Sequence, residues 1–233
     1  ISNLKMIKYI KNLQRNINYF FFKKISSAQC IFNINIDIDK INYFLELKNI
    51  KDKKNFLWFG DWDNKKISLT NYRKYSASYN SVYQIYQDQI SYKESEEYIK
   101  KLNLILDGKN SGRGQTLKEL DEYFMSLNNL KSSLEKYGYK SQTELNNNNK
   151  KNDEIGVVIG KNWEIIKLQD KFGGTHRFAL CKIFDIKEII VSIKAIHYSL
   201  IEKNDLKKIL SNDSDNEIKS YLKNKILENI NRT

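Results

Sequence analysis

The chain has 233 residues, of which 40% are hydrophobic, and a formal net charge of +12. This content supports a buried core and excludes a disordered chain. Only five of the 40 basic residues are Arg, Pro is absent, and Asn, Ile and Tyr are abundant, so the positive charge follows a general bias in composition. It is weak evidence for nucleic-acid binding, because duplex readout favours the planar fork of Arg. Nucleic acid is therefore not favoured as a partner.

Apolar runs and cysteines narrow the class further. No apolar run approaches the roughly 20 residues that a membrane-spanning helix needs, so no membrane span is expected. Cys30 and Cys181 lie far apart and lack the spacing of a metal or redox motif. They are predicted to be reduced thiols of a cytoplasmic protein, with Cys181 in the core.

The first half of the chain is predicted to contain helices and one strand. Residues 2–22 carry apolar positions at helical spacing among lysines, and Cys30–Ile38 alternates in the period of a strand. A second apolar stretch, Asn55–Asn64, ends in the acidic sequence GDWD. Helical spacing between Ser76 and Leu106 indicates two helices, and a loop at Asn110–Thr116 precedes a third. That third helix is predicted over Leu117–Tyr137, with Gly138 as its stop signal.

The second half changes character. The sequences EIGVVIG and WEIIKL, from residue 154 to residue 168, predict a β-hairpin whose GKN turn offers Gly and Asn for positive φ. The sequence FGGTHRFALCKIF then predicts a glycine loop and a helix over Thr175–Phe184, followed by a strand at Glu188–Ile196. Asn204–Arg232 has the pattern of one or two Lys-rich helices.

These patterns divide the chain into four regions. Residues 1–53 form an N-terminal helix and strand region, and residues 54–150 hold the GDWD segment with a helical insertion. Residues 151–200 form the core, and residues 201–233 form a helical extension. The fold class predicted from this order is α+β.

The glycine loop at residues 173–177, GGTHR, is the main candidate binding site. A helix start offers backbone N–H groups and partial positive charge, and Gly173 and Gly174 would allow an anion to approach them closely. Thr175 would supply a cap oxygen and a hydroxyl, while His176 and Arg177 would add donors. A phosphate is the natural ligand of such a set. The simpler interpretation is an ordinary turn with a Thr cap and a surface Arg.

The sequence FGGTHRFAL resembles the signature loop of the ParB/sulfiredoxin fold, with the likeness covering about residues 154–196. That resemblance implies a nucleotide-binding core in which the loop holds phosphates. Sulfiredoxins carry Cys where this chain has Thr175, so their reductase chemistry is not expected. The order of GDWD, GYKSQ, IGKNWE, GGTHR and IHYSL is also similar to a group of uncharacterised ParB-like proteins, although Ile196 stands where that pattern usually has Arg.

Acidic residues complete the predicted site. Asp61 and Asp63 are candidates to hold Mg²⁺ on the nucleotide phosphates or to activate an acceptor, although solvated turn aspartates are an equally simple interpretation. Asp170, just before the loop, is a candidate general base, with an ordinary loop acid as the favoured alternative. His176 and His197 are the only histidines, and no further zinc ligand is evident.

The resemblance, together with these residues, predicts a phosphotransferase that uses ATP or another nucleoside triphosphate with Mg²⁺. Its acceptor would be a hydroxyl of a small molecule or glycan precursor. The alternative is a non-catalytic, nucleotide-gated or DNA-binding ParB-like module. No helix-turn-helix partner is visible in the sequence to support partition function.

Overall fold

The protein is described by a computed structural model that covers residues 32–46, 56–112, 114–145, 153–169, 173–202, 205 and 215–232. The predicted helix at residues 2–22, Cys30 and Asp170 lie outside these residues. Within them the chain is a mixed α+β protein. Its strands are β1 (Phe32–Asp37), β2 (Ile41–Leu45), β3 (Leu57–Trp58), β4 (Ile67–Ser68), β5 (Ile155–Ile159), β6 (Ile165–Leu168) and β7 (Glu188–His197). Its helices are α1 (Tyr72–Tyr75), α2 (Ala77–Tyr86), α3 (Glu96–Leu106), α4 (Leu117–Tyr137), α5 (Thr175–Ile183) and α6 (Asp215–Ile230).

The strands form one mixed sheet in the order β1-β7-β5-β6-β2-β4, with β3 also paired to β7. The pairs β5–β7, β2–β6 and β3–β7 are parallel, and the remaining pairs are antiparallel. The sheet therefore draws strands from the first three predicted regions. The boundaries at residues 53 and 150 do not divide it.

Alternation along the strands gives the sheet two apolar faces. Ile155, Val157 and Ile159 of β5 belong to the main core, together with residues of α2, α5 and α6. Val158 points the other way, into a smaller cluster with Trp58 and Trp62. Successive strand residues face opposite sides of a sheet, so α5 and Trp62 cover opposite faces.

The predicted elements are largely confirmed. The paired helices α2 and α3, the long helix α4 with Gly138 at φ +67°, the hairpin β5–β6, and α5 followed by β7 all appear. One turn detail is wrong: the positive φ of the hairpin falls on Trp163, at +65°, rather than on Gly160 or Asn162. Cys181 is a free, buried thiol, as predicted, and burial raises its pKa to about 12.

No helix among the described residues is long and apolar enough to cross a membrane.

Candidate functional site

The two glycines of the loop are required by close packing. Gly173 and Gly174 have φ of +82° and +76°, values that favour glycine. A Cβ on Gly174 would lie 2.8 Å from the Cα of Ile155, the first residue of β5. A Cβ on Gly173 would lie 2.5 Å from Oδ1 of Asp153. The loop is thus seated against the beginning of β5, which places the start of α5 there.

Thr175 occupies an unusual position at that helix start. Gly174 is the N-cap residue, and no side chain caps the helix, so the predicted cap role of Thr175 is wrong. Its side chain is buried, and within the described part of the chain Oγ1 has no hydrogen-bond partner. Buried hydroxyls are normally satisfied. An unsatisfied one beside the free N–H groups of a helix start marks a place where a ligand could supply the missing bond.

Arg177 forms an ion pair inside the protein. Its Nη1 donates to Oε2 of the fully buried Glu154 at 2.9 Å and to the Tyr139 hydroxyl at 3.1 Å. The other oxygen of Glu154 accepts from the backbone N–H of Gln142 at 2.6 Å. Burial alone would lower the pKa of Arg177, but Tyr139 and Glu154 outweigh that effect and raise it. Arg177 therefore joins α5 to the segment after α4, and it is not the surface residue of the simpler interpretation.

His176 is held by the helical insertion. Its Nε2 lies 2.6 Å from Oε2 of Glu97 in α3 and 3.2 Å from the Tyr123 hydroxyl in α4. Burial alone would raise the pKa of Glu97, but the hydrogen bond and charge of His176, with the charge of Lys101, outweigh it and lower the pKa. Glu97 is thus a carboxylate that orients the imidazole.

A cavity of about 360 Å³ opens over the glycine loop. Its polar lining includes residues 173–177 together with Asp153, Gln142 and Lys140. Its apolar lining consists of four leucines, three of them at helical spacing on α4: Leu127, Leu130, Leu134 and Leu145. The cavity therefore combines polar groups at the helix start with apolar side chains.

The structure separates the acidic pair, Asp61 and Asp63, from the glycine loop. Asp63 accepts the backbone N–H of Lys161 through Oδ2 at 3.1 Å, just after the end of β5, whereas Gly174 touches Ile155 at its beginning. Five residues of strand span about 16 Å. Trp62 also covers the sheet face opposite α5. The structure therefore does not bring Asp61 and Asp63, predicted to act on a phosphate, to the glycine loop.

The two carboxylates of the acidic pair have different surroundings. Asp61 is 83% exposed, whereas Asp63 is fully buried. The ammonium of Lys161 lies 4.0 Å from Asp61 and 3.9 Å from Asp63, which already supplies positive charge there. Nowhere among the described residues do three or more His, Cys, Asp or Glu side chains gather as metal ligands.

The two histidines do not converge. His197, at the end of β7, donates from Nε2 to the carbonyl of Gly60 at 2.9 Å and accepts at Nδ1 from the backbone N–H of Ser199. This fixes its tautomer and fastens the GDWD turn to β7. His176 lies at the other end of the sheet, beside the glycine loop.

Sequence reasoning missed several residues that build the cavity. Lys140 and Gln142 of the GYKSQ sequence line the cavity, and Tyr139 of the same sequence bonds Arg177. The place of GYKSQ in the predicted motif order is the sequence signal for these residues. Glu97 and Tyr123 carry no sequence signal, because they meet His176 only through the packing of α3 and α4.

Comparison of the chain with protein-family models, curated proteins and solved structures found no match in any of the three. The geometry of the candidate site is therefore the evidence for what it binds.

Proposed function

We propose that the cavity over the glycine loop binds a nucleotide, with its phosphates at the start of α5. The buried, unpartnered hydroxyl of Thr175 carries this proposal. A phosphate oxygen accepts hydrogen bonds both from a hydroxyl and from the N–H groups that begin a helix. A ligand with this chemistry satisfies Thr175 and those N–H groups together.

The rest of the cavity supports the same ligand class. Lys140 lines it, where its ammonium lies 4.3 Å from the centroid of the Tyr137 ring and interacts with the charge of Glu144. Arg177 and His176 face Glu154 and Glu97. The leucines that line the cavity are suited to the apolar face of a nucleobase. The proposed phosphate contacts are thus backbone N–H groups, Thr175 and Lys140, with Arg177 and His176 shaping the loop.

The proposed fold is ParB/sulfiredoxin-like. Its support is the order of hairpin, glycine loop, helix and strand in β5, β6, α5 and β7. This fold and the cavity support a non-catalytic module that is gated by a nucleotide. Such a module needs no catalytic side chains in addition to the groups that bind the nucleotide.

Phosphoryl transfer from ATP to a small-molecule or glycan-precursor hydroxyl is the second candidate. The observation that favours it is the Glu97–His176 pair at the cavity, because an imidazole oriented by a carboxylate is suited to accept a proton from an acceptor hydroxyl. His176 would then act as the base in place of Asp61 or Asp63. Mg²⁺, if used, would be bound mainly through the nucleotide phosphates, with Asp153 as the nearest lining carboxylate.

Calorimetric titration with ATP, ADP, CTP and GTP, each with and without Mg²⁺, tests the proposal. We expect at least one nucleotide to bind the wild type, and Thr175→Val to weaken that binding by about 1.5–3 kcal/mol, the scale of one hydrogen bond to a charged group. Asp61→Asn, at the other end of β5, is the matched control and should bind normally. Failure of all four nucleotides, or equal affinity of Thr175→Val, contradicts the proposal. Product analysis with the nucleotide that binds distinguishes phosphoryl transfer from nucleotide binding without turnover.

A further inference from the structure

A second cavity, of about 410 Å³, lies at the other end of α5. It is bounded by β2, by the segment that follows β4, by α1 and α2, and by Lys182 in the last turn of α5. Its size falls within the range of small-molecule sites. Thr175 and Lys182 stand at opposite ends of the helix, so the two cavities are separate.

The cations of this second cavity are already neutralised. Arg73 donates to Asp88 at 2.5 Å and to the side-chain carbonyl of Asn80 at 3.0 Å. Lys182 lies 2.9 Å from Oδ1 of Asp39. An anionic ligand would have to compete with both carboxylates, so the cavity offers little net attraction for a phosphate or carboxylate.

Neutral hydroxyl groups dominate the remaining polar lining. The hydroxyls of Tyr79 and Tyr83 lie 3.0 Å apart, and those of Ser68 and Thr70 lie 2.9 Å apart. Within each pair one hydroxyl donates to the other, which leaves one O–H proton and several lone pairs for a ligand. The amide of Asn42 adds a donor and an acceptor.

The rings of Tyr79 and Tyr83 are held by aromatic and cationic neighbours. The Tyr79 ring stacks on Tyr72 at 4.5 Å, and the guanidinium of Arg73 lies 5.2 Å from the centroid of the Tyr83 ring. Burial raises the pKa of Tyr79 far above its usual value, with Tyr83 adding to the effect, so this phenol stays protonated and able to donate. The ring faces are engaged by neighbours, and both tyrosines line the cavity with their hydroxyls paired.

We infer that this second cavity binds a small, neutral, polyhydroxylated molecule, such as a sugar of one or two rings. Adjacent hydroxyls of a sugar both donate and accept, which complements the two hydroxyl pairs and Asn42. Neutrality follows from the pairing of Arg73 and Lys182 with acidic partners. This inference is independent of nucleotide binding at the glycine loop.

Titration of the full chain followed by amide NMR tests the inference. The probes are glucose, galactose, mannose, N-acetylglucosamine and maltose, with inorganic phosphate and glucose 6-phosphate as charged comparators, up to about 50 mM, above the millimolar range of weak ligands. We expect at least one neutral sugar to shift the signals of Asn42, Thr70 and Lys182. Tyr83→Phe and Thr70→Val should each weaken binding about fivefold, the loss of roughly one neutral hydrogen bond.

Asp61→Asn, at a residue that does not line this cavity, is the control and should bind the sugar as the wild type does. Both test substitutions preserve shape, and the dispersion of the amide spectrum verifies folding, so either variant alone can decide. The inference is overturned if none of the five neutral sugars shifts these signals, if only the two charged probes do so, or if sugar affinity is unchanged in a folded variant.

Discussion

Arg177 and Glu154 form an ion pair of 2.9 Å beneath the glycine loop, with Glu154 fully buried. The pair joins the first turn of α5 to the beginning of β5. A guanidinium that the sequence predicts as a phosphate ligand is thus used to neutralise a carboxylate inside the protein. This ion pair holds the first turn of α5 in place, and Arg177 also lines the cavity over the glycine loop.

Arg177→Ala should therefore destabilise the protein by about 3–5 kcal/mol, because it leaves the charge of Glu154 buried without its partner. Urea unfolding measures the loss. Arg73→Ala is the matched control: its pair with Asp88 is about 40% exposed, so the change should cost no more than about 1 kcal/mol. Equal losses in the two variants would contradict the assignment, and adding Glu154→Gln to Arg177→Ala should recover part of the stability.

Thr175→Val should stabilise the free protein while weakening nucleotide binding. The substitution replaces an unsatisfied buried hydroxyl by a methyl group of similar shape, and removing such a group is worth about 1–3 kcal/mol. Thr175→Ser keeps the hydroxyl and is the control for binding. A less stable Thr175→Val protein would show that the hydroxyl is satisfied in the native state.

Glu97→Gln should lower stability in a pH-dependent way. The native pKa of Glu97 is below its usual 4.5, so the ionised carboxylate and its hydrogen bond to His176 stabilise the fold above pH 4.5, and this contribution is lost as the pH falls through the native pKa. We expect a loss of about 1.5–3 kcal/mol at neutral pH, the scale of a hydrogen bond to a charged group. Urea unfolding at successive pH values should show the difference from wild type shrinking below pH 4.5; a constant difference would argue against an ionised Glu97.

The two aspartates of GDWD should behave differently although they are separated by one residue. Asp61→Ala should change stability by no more than about 0.5 kcal/mol, as is usual for exposed positions. Asp63→Ala should cost about 1–3 kcal/mol, since it removes a buried acceptor for the N–H of Lys161. Neither change should alter nucleotide affinity. Loss of that affinity in a folded Asp61→Ala variant would restore the acidic pair to the phosphate site.

The helices and strands could be predicted from the sequence where the apolar pattern is formed by neighbouring residues. The 21-residue helix α4 has apolar periodicity and a Gly at its end, and β7 is rich in Ile and Val, so the bounds of both were predicted to within one residue. The candidate site was harder to predict from the sequence, because its contacts join segments that are far apart along the chain. Glu97 lies 79 residues from His176, and Asp63 lies 98 residues from Lys161. The order of motifs along the sequence led to the prediction that GDWD and GGTHR share one site. In the structure they lie at opposite ends of β5.

The central claim is that phosphate binds at the start of α5, and titration of backbone amide signals with ATP and with adenosine tests it most directly. The account predicts that ATP shifts the amides of Thr175 and His176, which the helix leaves without intrahelical acceptors. Adenosine, which lacks phosphate, should leave those two signals in place. Saturable shifts around Asp61, Asp63 and Lys161 with ATP, while Thr175 and His176 stay unchanged, would contradict the claim.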